Sequence, residues 1–326
     1  MPVANTSYAY AVGNVRAHET ALLTRQDMEQ LLAVRDPARL AAALQDKGFG
    51  IDGGDTDALL TQETAKLWDY LRGVTPDFSL YDAFLYRNDY HNAKAILKGV
   101  LRNRPYAGLL LRPCTVEPAL LEAAVKEKKY APLPAHMRGA VERSYQLLAE
   151  TADTQRSDAV LDAAAMAAML DAAERTRVPM LVELIRTTVF YSDVKTALRA
   201  ARTRRGPEFL ELALCPAAGM DLAELKKAAL AGESELTGYL EQKDLYGSRE
   251  AMAAYRESPS AFEKWVDDRL MGIARQGRRV TMGPEALIGY LLGKETEIKA
   301  VHILASGLRA GQPEEAVRER LRERSG

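Results

Sequence analysis

The sequence predicts an all-α protein, and three observations carry that reading. Ala, Leu, Glu, Lys and Arg dominate almost every segment, while β-branched residues rarely alternate with polar ones as they do along a half-buried strand. Residues that begin helices stand where the runs begin. Gly and Pro clusters stand where the runs end.

The elements follow in order. TRQDMEQLL opens a helix with Thr24 as its N-cap, a hydroxyl placed to satisfy the free amides of the first turn. ARLAAALQDK then runs into the glycines of DKGFGIDGGD (46–55), which stop it. A long helix over NDYHNAKAILKGVLRNR (88–104) is broken by LRPCTVEP (111–118), and EPALLEAAV restarts with Pro118 in the first turn. AAAMAAML (163–170) lies in the next run, followed by VFYSDVKTALRAARTRR (189–205) and the stop LCPAAGMD (214–221). GKETEIKAVHILASGLR (293–309) is the last long run; RAGQP ends it, and Pro313 with two acids begins a final short helix.

With 326 residues and 47% hydrophobic side chains, the chain can bury a substantial core. Lys and Arg number 44 against 45 Asp and Glu, so no global field draws it to nucleic acid or anionic lipid. Cys114 and Cys215 lie far apart without metal-ligand spacing, and MPVANTSYAY lacks the basic segment and apolar core of a signal peptide. A reduced, cytoplasmic protein is expected. AAAMAAML is flanked by Asp162 and Asp171 and is far shorter than the roughly 20 residues of a membrane span.

The punctuation suggests a repeat. Cys114 and Cys215 stand 101 residues apart, each after a long helical run and before another helix. With the same offset, 88–104 aligns over 189–205, matching Tyr90 to Tyr191, Lys94 to Lys195, Leu97 to Leu198 and Arg104 to Arg205. A further shift brings in 293–309, with Lys299 under Lys94 and Lys195, and Glu297 under Asn92 and Asp193. Three helical units are expected, over 1–110, 111–214 and 215–326.

Catalytic patterns fail on context. Gly48, Gly50 and Gly53 satisfy G-x-G-x-x-G, but that fingerprint must follow a strand and open a helix, and here it follows a helix. WVDDRLMG (265–272) offers Asp267 and Asp268 but has Met271 where a third metal-binding acid would be needed. The histidines His18, His91, His136 and His302 have no partners at ligand spacing, and no nucleophile elbow or Walker loop occurs. RTRR (202–205) and RQGRR (275–279) end helices, where a cation is favoured by the dipole. No catalytic, cofactor or metal residue is expected.

The polar residues of the long helices remain. In the last of them, Leu287, Leu291, Lys294, Ile298, Val301, Ala305 and Leu308 form one packed stripe, while Glu295, Lys299, His302, Ser306 and Arg309 form a polar one. Glu297 and Lys299, two residues apart, face roughly opposite ways and cannot pair with each other. Asn92, Lys94, Asp193, Lys195, Glu297 and Lys299 are therefore the structural or interface candidates, either as pairs that reach amide or basic groups on neighbouring units or as lining of a central opening.

These residues carry a resemblance. YAYAVGNVRAHETALLTRQDMEQLL (8–32), with Arg16 and the Leu22-Leu23 pair, resembles the opening of the C-type subunits of V/A-type ATPases, the family of the eukaryotic V-ATPase d subunit. FLYRNDYHNAKAILKG (84–99), with Asn88, Asp89, His91, Asn92 and Lys94, is similar to its first long-helix motif. GYLLGKETEIKAVHILASGLRAGQPEEAVRERL (289–321) is similar to its C-terminal signature. The middle copy departs from the pattern, with Phe190 where an acid is common and Asp193 where Asn is common.

The resemblance implies three similar helical units around a pseudo-threefold axis, funnel-shaped. It also implies a non-catalytic rotor subunit, one copy per complex, on the cytoplasmic side of the membrane, joining the proteolipid ring to the central-shaft subunits of the D and F type without binding nucleotide. The competing reading is an all-α repeat scaffold that takes a protein or peptide in its concave face. A helical diphosphate enzyme requires Asp267 and Asp268 to face a deep pocket with further acids.

Overall fold

Each helix-start signal in the sequence is used. In the computed structural model, which describes residues 5–50, 55–215 and 219–322, Thr24 accepts a hydrogen bond from the Asp27 amide while the Asp27 carboxylate accepts from the Thr24 amide. This capping box opens α2 (Arg25–Leu32), after α1 (Ala9–Glu19). Asp36 caps α3 (Pro37–Asp46) and Asp55 caps α4 (Thr56–Val74). Between them the chain turns at Gly48, whose φ of 85° is the left-handed conformation of a helix C-terminus. The glycine pattern around it is thus a stop and not a phosphate loop; Gly53 lies outside the described residues.

The chain continues through α5 (Asp82–Arg102), α6 (Pro118–Glu127), α7 (Ala135–Thr151), α8 (Thr154–Thr176), α9 (Pro179–Arg202) and α10 (Pro207–Ala213). Then come α11 (Leu222–Ala231), α12 (Glu233–Lys243), α13 (Ser248–Glu257), α14 (Pro259–Arg275), α15 (Glu285–Arg309) and α16 (Glu314–Arg322). Pro118 occupies the first turn of α6, and Pro313 immediately precedes α16. The protein is all-α, with no strand among the described residues. No helix among them is long and apolar enough to cross a membrane.

Two compact units divide the chain: unit 1 takes residues 1–78 and 254–326, and unit 2 takes 79–253. In unit 2, α8 packs against α5, α7 and α9, so it is covered on several sides. That position explains AAAMAAML and the alanines after it: Ala165, Ala168 and Met169 within the run and Ala172 and Ala173 beyond it are buried, and small side chains let the neighbours approach closely. Between α7 and α8 the buried hydroxyls of Ser144 and Ser157 satisfy each other at 2.6 Å.

Unit 1 is built from both ends of the sequence. Leu31, Leu32, Leu40, Leu44, Leu59 and Leu60 from α2 to α4 share one core with Val301, Leu304, Val317 and Leu321 from α15 and α16. The turn after α14 crosses α15 at glycines. A Cβ on Gly277 would meet the Glu285 carbonyl oxygen at 2.2 Å, and Arg16 donates to the Gly277 and Val280 carbonyls at 3.0 and 2.9 Å. Gly277→Ala must therefore push backbone from backbone. We expect a loss of about 3 kcal/mol in chemical denaturation, and an unchanged midpoint would contradict the close crossing.

Candidate functional site: polar anchors on the long helices

In unit 2, α5 presents the motif NDYHN to the chain that follows it. Asn88 Nδ2 donates to the Pro113 carbonyl at 2.7 Å, and His91 Nε2 lies 3.0 Å from the Leu109 carbonyl. Asp89, fully buried, accepts from the Thr115 amide at 2.8 Å, the Val116 amide at 3.0 Å and the Thr115 hydroxyl at 2.5 Å. Asn92, also fully buried, reads both sides of the Leu111 main chain: its amide donates to the carbonyl at 3.0 Å and its oxygen accepts from the N–H at 2.7 Å. Four side chains within about one and a half helical turns thus hold 109–116, which has no regular secondary structure beyond Leu109. Burial raises the Asp89 carboxyl, and the three donors pull it back. Lys94, half-buried, reaches Asp162 on α8 at 2.5 Å, and Lys98 reaches Asp158 at 2.6 Å.

The second copy in unit 2 rearranges this grip. Phe190 fills the position of Asp89 and is fully buried, so the acid has moved one turn along α9. Asp193, 1% exposed, accepts from the Cys215 amide at 3.0 Å through Oδ1, while its buried Oδ2 has no hydrogen-bond partner among the described residues. Tyr191 keeps the outer tie of its counterpart: its hydroxyl donates to the Tyr246 carbonyl at 3.1 Å, as Tyr90 donates to that of His136 at 2.7 Å. Lys195 is half-buried on the same helix.

Burial, opposed only by the Cys215 amide, pushes Asp193 up to about 7. The native state therefore binds more protons than the unfolded chain between the ordinary carboxylate value and about pH 7, and stability falls as pH rises through that window. Asp193→Asn keeps the acceptor and removes the buried charge. Its stability relative to the parent should be near equal at about pH 4 and higher at about pH 8, by no more than about 4 kcal/mol. Urea denaturation at the two pH values checks this, and a gain independent of pH would refute it.

In unit 1, α15 carries a buried triad. The Lys294 ammonium pairs with Glu297 one turn on and with Glu63 of α4 at 2.8 Å, and it sits 4.4 Å above the Phe49 ring. Side-chain exposures are 10% for Lys294, 4% for Glu63 and 6% for Glu297, so two carboxylates share one cation away from water. Each also takes a main-chain donor: Gly50 N–H reaches Glu63 at 3.0 Å and Leu23 N–H reaches Glu297 at 2.5 Å. Lys66 approaches Glu63 from solvent at 3.5 Å. Lys299, on the other side of α15, is exposed, and so is His302.

The three aligned positions thus do one physical thing. Asn92, Asp193 and Glu297 each accept a hydrogen bond from a main-chain amide of a segment outside their own helix: Leu111, Cys215 and Leu23. The aligned lysines differ from one another, Lys94 being ion-paired and Lys299 exposed. Three anchors lie outside the six candidate positions: Asp89, named only within a family-like motif, Lys294, placed in a packed stripe, and Glu63. Lys294 stands in the apolar stripe, and that misfit is its signal; Glu63 has no local one. Asp267 and Asp268 lie on α14, Asp268 3.4 Å from Lys264, and the described residues hold no cluster of three or more His, Cys, Asp or Glu able to bind a metal.

A family model described as ATP synthase (C/AC39) subunit matches residues 11–320. The C subunit of the V-type sodium ATPase of Enterococcus hirae is 22% identical over 316 residues, which cover 95% of this chain and 96% of that protein. With nearly the whole length matched, the chain belongs to the C/AC39 family, that of the C-type subunits of V/A-type ATPases.

Proposed function

We propose that the chain is a non-catalytic rotor subunit of a V/A-type ATPase, joining the membrane proteolipid ring to the central shaft and transmitting torque between ATP turnover and ion movement. Its partners are then the ring and the D and F type shaft subunits, with one copy per complex on the cytoplasmic face. In this reading the three aligned long helices mark three similar units, over 1–110, 111–214 and 215–326, around a pseudo-threefold axis that forms a funnel.

The observation that carries the mechanical part is the recurring anchor. A coupling must not creep under load, and Asn92, Asp193 and Glu297 each fasten main chain onto a long helix by a hydrogen bond withdrawn from water. Close-packed helices such as α8 with its neighbours add stiffness, because interiors at crystal-like density compress little. Asn92, Asp193 and Glu297 are fasteners in this proposal, whereas the exposed Lys299 belongs to an outward face, with Lys94 and Lys195 between the two.

Affinity capture of the tagged chain from solubilised membranes tests the assignment. Shaft subunits and proteolipid are expected to come with it. Capture of neither, from cells that express the whole complex, would overturn the rotor reading and favour a scaffold for some other protein or peptide.

A further inference from the structure

One end of unit 2 gathers positive charge from elements distant in sequence. The last turn of α5, the start of α8 and the last turn of α9 meet there. Arg102 donates to the Ala152 carbonyl at 3.2 Å just ahead of α8, Arg205 reaches the Gln155 side chain, and Arg156 of α8 pairs with Glu208 of α10 at 2.6 Å. Arg102, Arg104, Arg199, Arg202, Arg204 and Arg205 are all exposed.

Local structure explains part of the cluster. Arg102, Arg199 and Arg202 stand in the last turns of α5 and α9, where the helix dipole favours a cation. Arg104 and Arg204 lie past those ends, Arg204 at a φ of 52°, and gain nothing from the helical stretch itself. Acids answer only some of the charge: Glu233 takes Arg202 and Glu208 takes Arg156, while Asp153 is spent capping α8. Among the described residues no ion pair reaches Arg104, Arg199 or Arg204. A nearly neutral chain thus keeps three forked, fully charged donors open to solvent at the ends of two helices that both pack on α8.

We propose that this pole is a docking surface for an acidic protein segment, carried by another subunit of the ATPase; the partner's identity rests on the function proposed above. Guanidinium groups suit carboxylates, which they bind in pairs of parallel hydrogen bonds. A lipid surface fits less well. Of the exposed large apolar side chains in unit 2, Leu109 and Leu111 sit beside His91 and Asn92 in the middle of α5, and Leu230, three residues before the Arg202 partner Glu233, is a single leucine, too little to anchor the pole between lipid chains. Nucleic acid is disfavoured too, since the nearby rings are engaged: Phe209 lies half-buried beneath Arg205 at 5.6 Å, and Tyr106 packs on Gly99 of α5 with its hydroxyl bonded to Glu122, so neither is a free face for a base.

The test compares the tagged wild-type chain with the triple variant Arg104→Gln, Arg199→Gln, Arg204→Gln, captured from solubilised membranes and washed at rising ionic strength. Exposed positions leave folding intact, which the thermal melt of the purified chain checks; Arg204→Glu alone serves as a second variant. The variant is expected to release its partner subunits at lower salt, with binding weakened roughly tenfold at low ionic strength. Identical release profiles for wild type and both variants overturn the inference while leaving the rotor reading intact. Failure of the wild type itself to capture any ATPase subunit overturns both. Sedimentation with phosphatidylserine vesicles by the wild type and not by the variant would assign the pole to lipid instead of protein.

Discussion

Lys294→Met is expected to destabilise unit 1 by about 3–5 kcal/mol. The methionine fills similar space, so the cost comes from what it leaves behind: Glu63 and Glu297, 4% and 6% exposed, lose the cation they share. Two carboxylates are then left facing each other in one dry site with no cation between them. Calorimetry at neutral pH reads the size of the loss. A further change to Glu63→Gln and Glu297→Gln on the Lys294→Met background removes the orphaned charges and should recover much of the loss. A single variant as stable as the parent at neutral pH would mean that the triad is not the keystone of this core.

The second large effect belongs to Asp89. Its carboxylate is the acceptor for two amides and one hydroxyl, and Val116, which supplies one of the amides, is itself buried. Asp89→Ala leaves these donors without a partner, at a cost of about 3 kcal/mol or more, since hydrogen bonds to charged groups are worth roughly 1.5–3 kcal/mol each but do not add. Asp89→Asn should cost much less. It keeps one oxygen for the amides, and the Thr115 hydroxyl can turn to accept from the new NH2. Amide hydrogen exchange gives the local signature: Thr115 and Val116 should lose protection in the alanine variant well before the helices of unit 2 do. Uniform loss across unit 2 would show that the loop has no separate stability.

Local chemistry makes the helices legible from the residues alone. Thr24 ahead of Asp27, Pro118 in a first turn and Gly48 after a helical run each act within four residues, and each does in the fold what its neighbours imply. Asn92, Asp193 and Glu297 can be singled out because three runs align, yet the alignment does not name their partners. Leu111 lies 19 residues from Asn92, but Leu23 lies 274 from Glu297, and no periodicity in a helix speaks for a main-chain amide so far away. Glu63 shows the limit most plainly. On α4 it reads as one more charged residue of a helix, and only the packing of α15 turns it inward. The lysines mislead for a related reason: equal register gave Lys94 an acid on α8 and left Lys299 exposed, because the neighbours of the helices differ.

The core that Leu31 and Leu44 share with Val301 and Leu321 also bears on how the protein is made. Unit 2 is one continuous stretch, so it can fold while the ribosome is still at work. Unit 1 cannot, since its first 78 residues lack a core until the last 73 have emerged. At roughly 5–20 residues per second the N-terminal helices wait on the order of ten seconds or more, with apolar faces uncovered. Nascent chains truncated before α15 should therefore carry a protease-resistant unit 2 and a chaperone-accessible N-terminus, and the emergence of α15 and α16, not of the N-terminal helices, is the moment at which unit 1 first becomes competent to assemble.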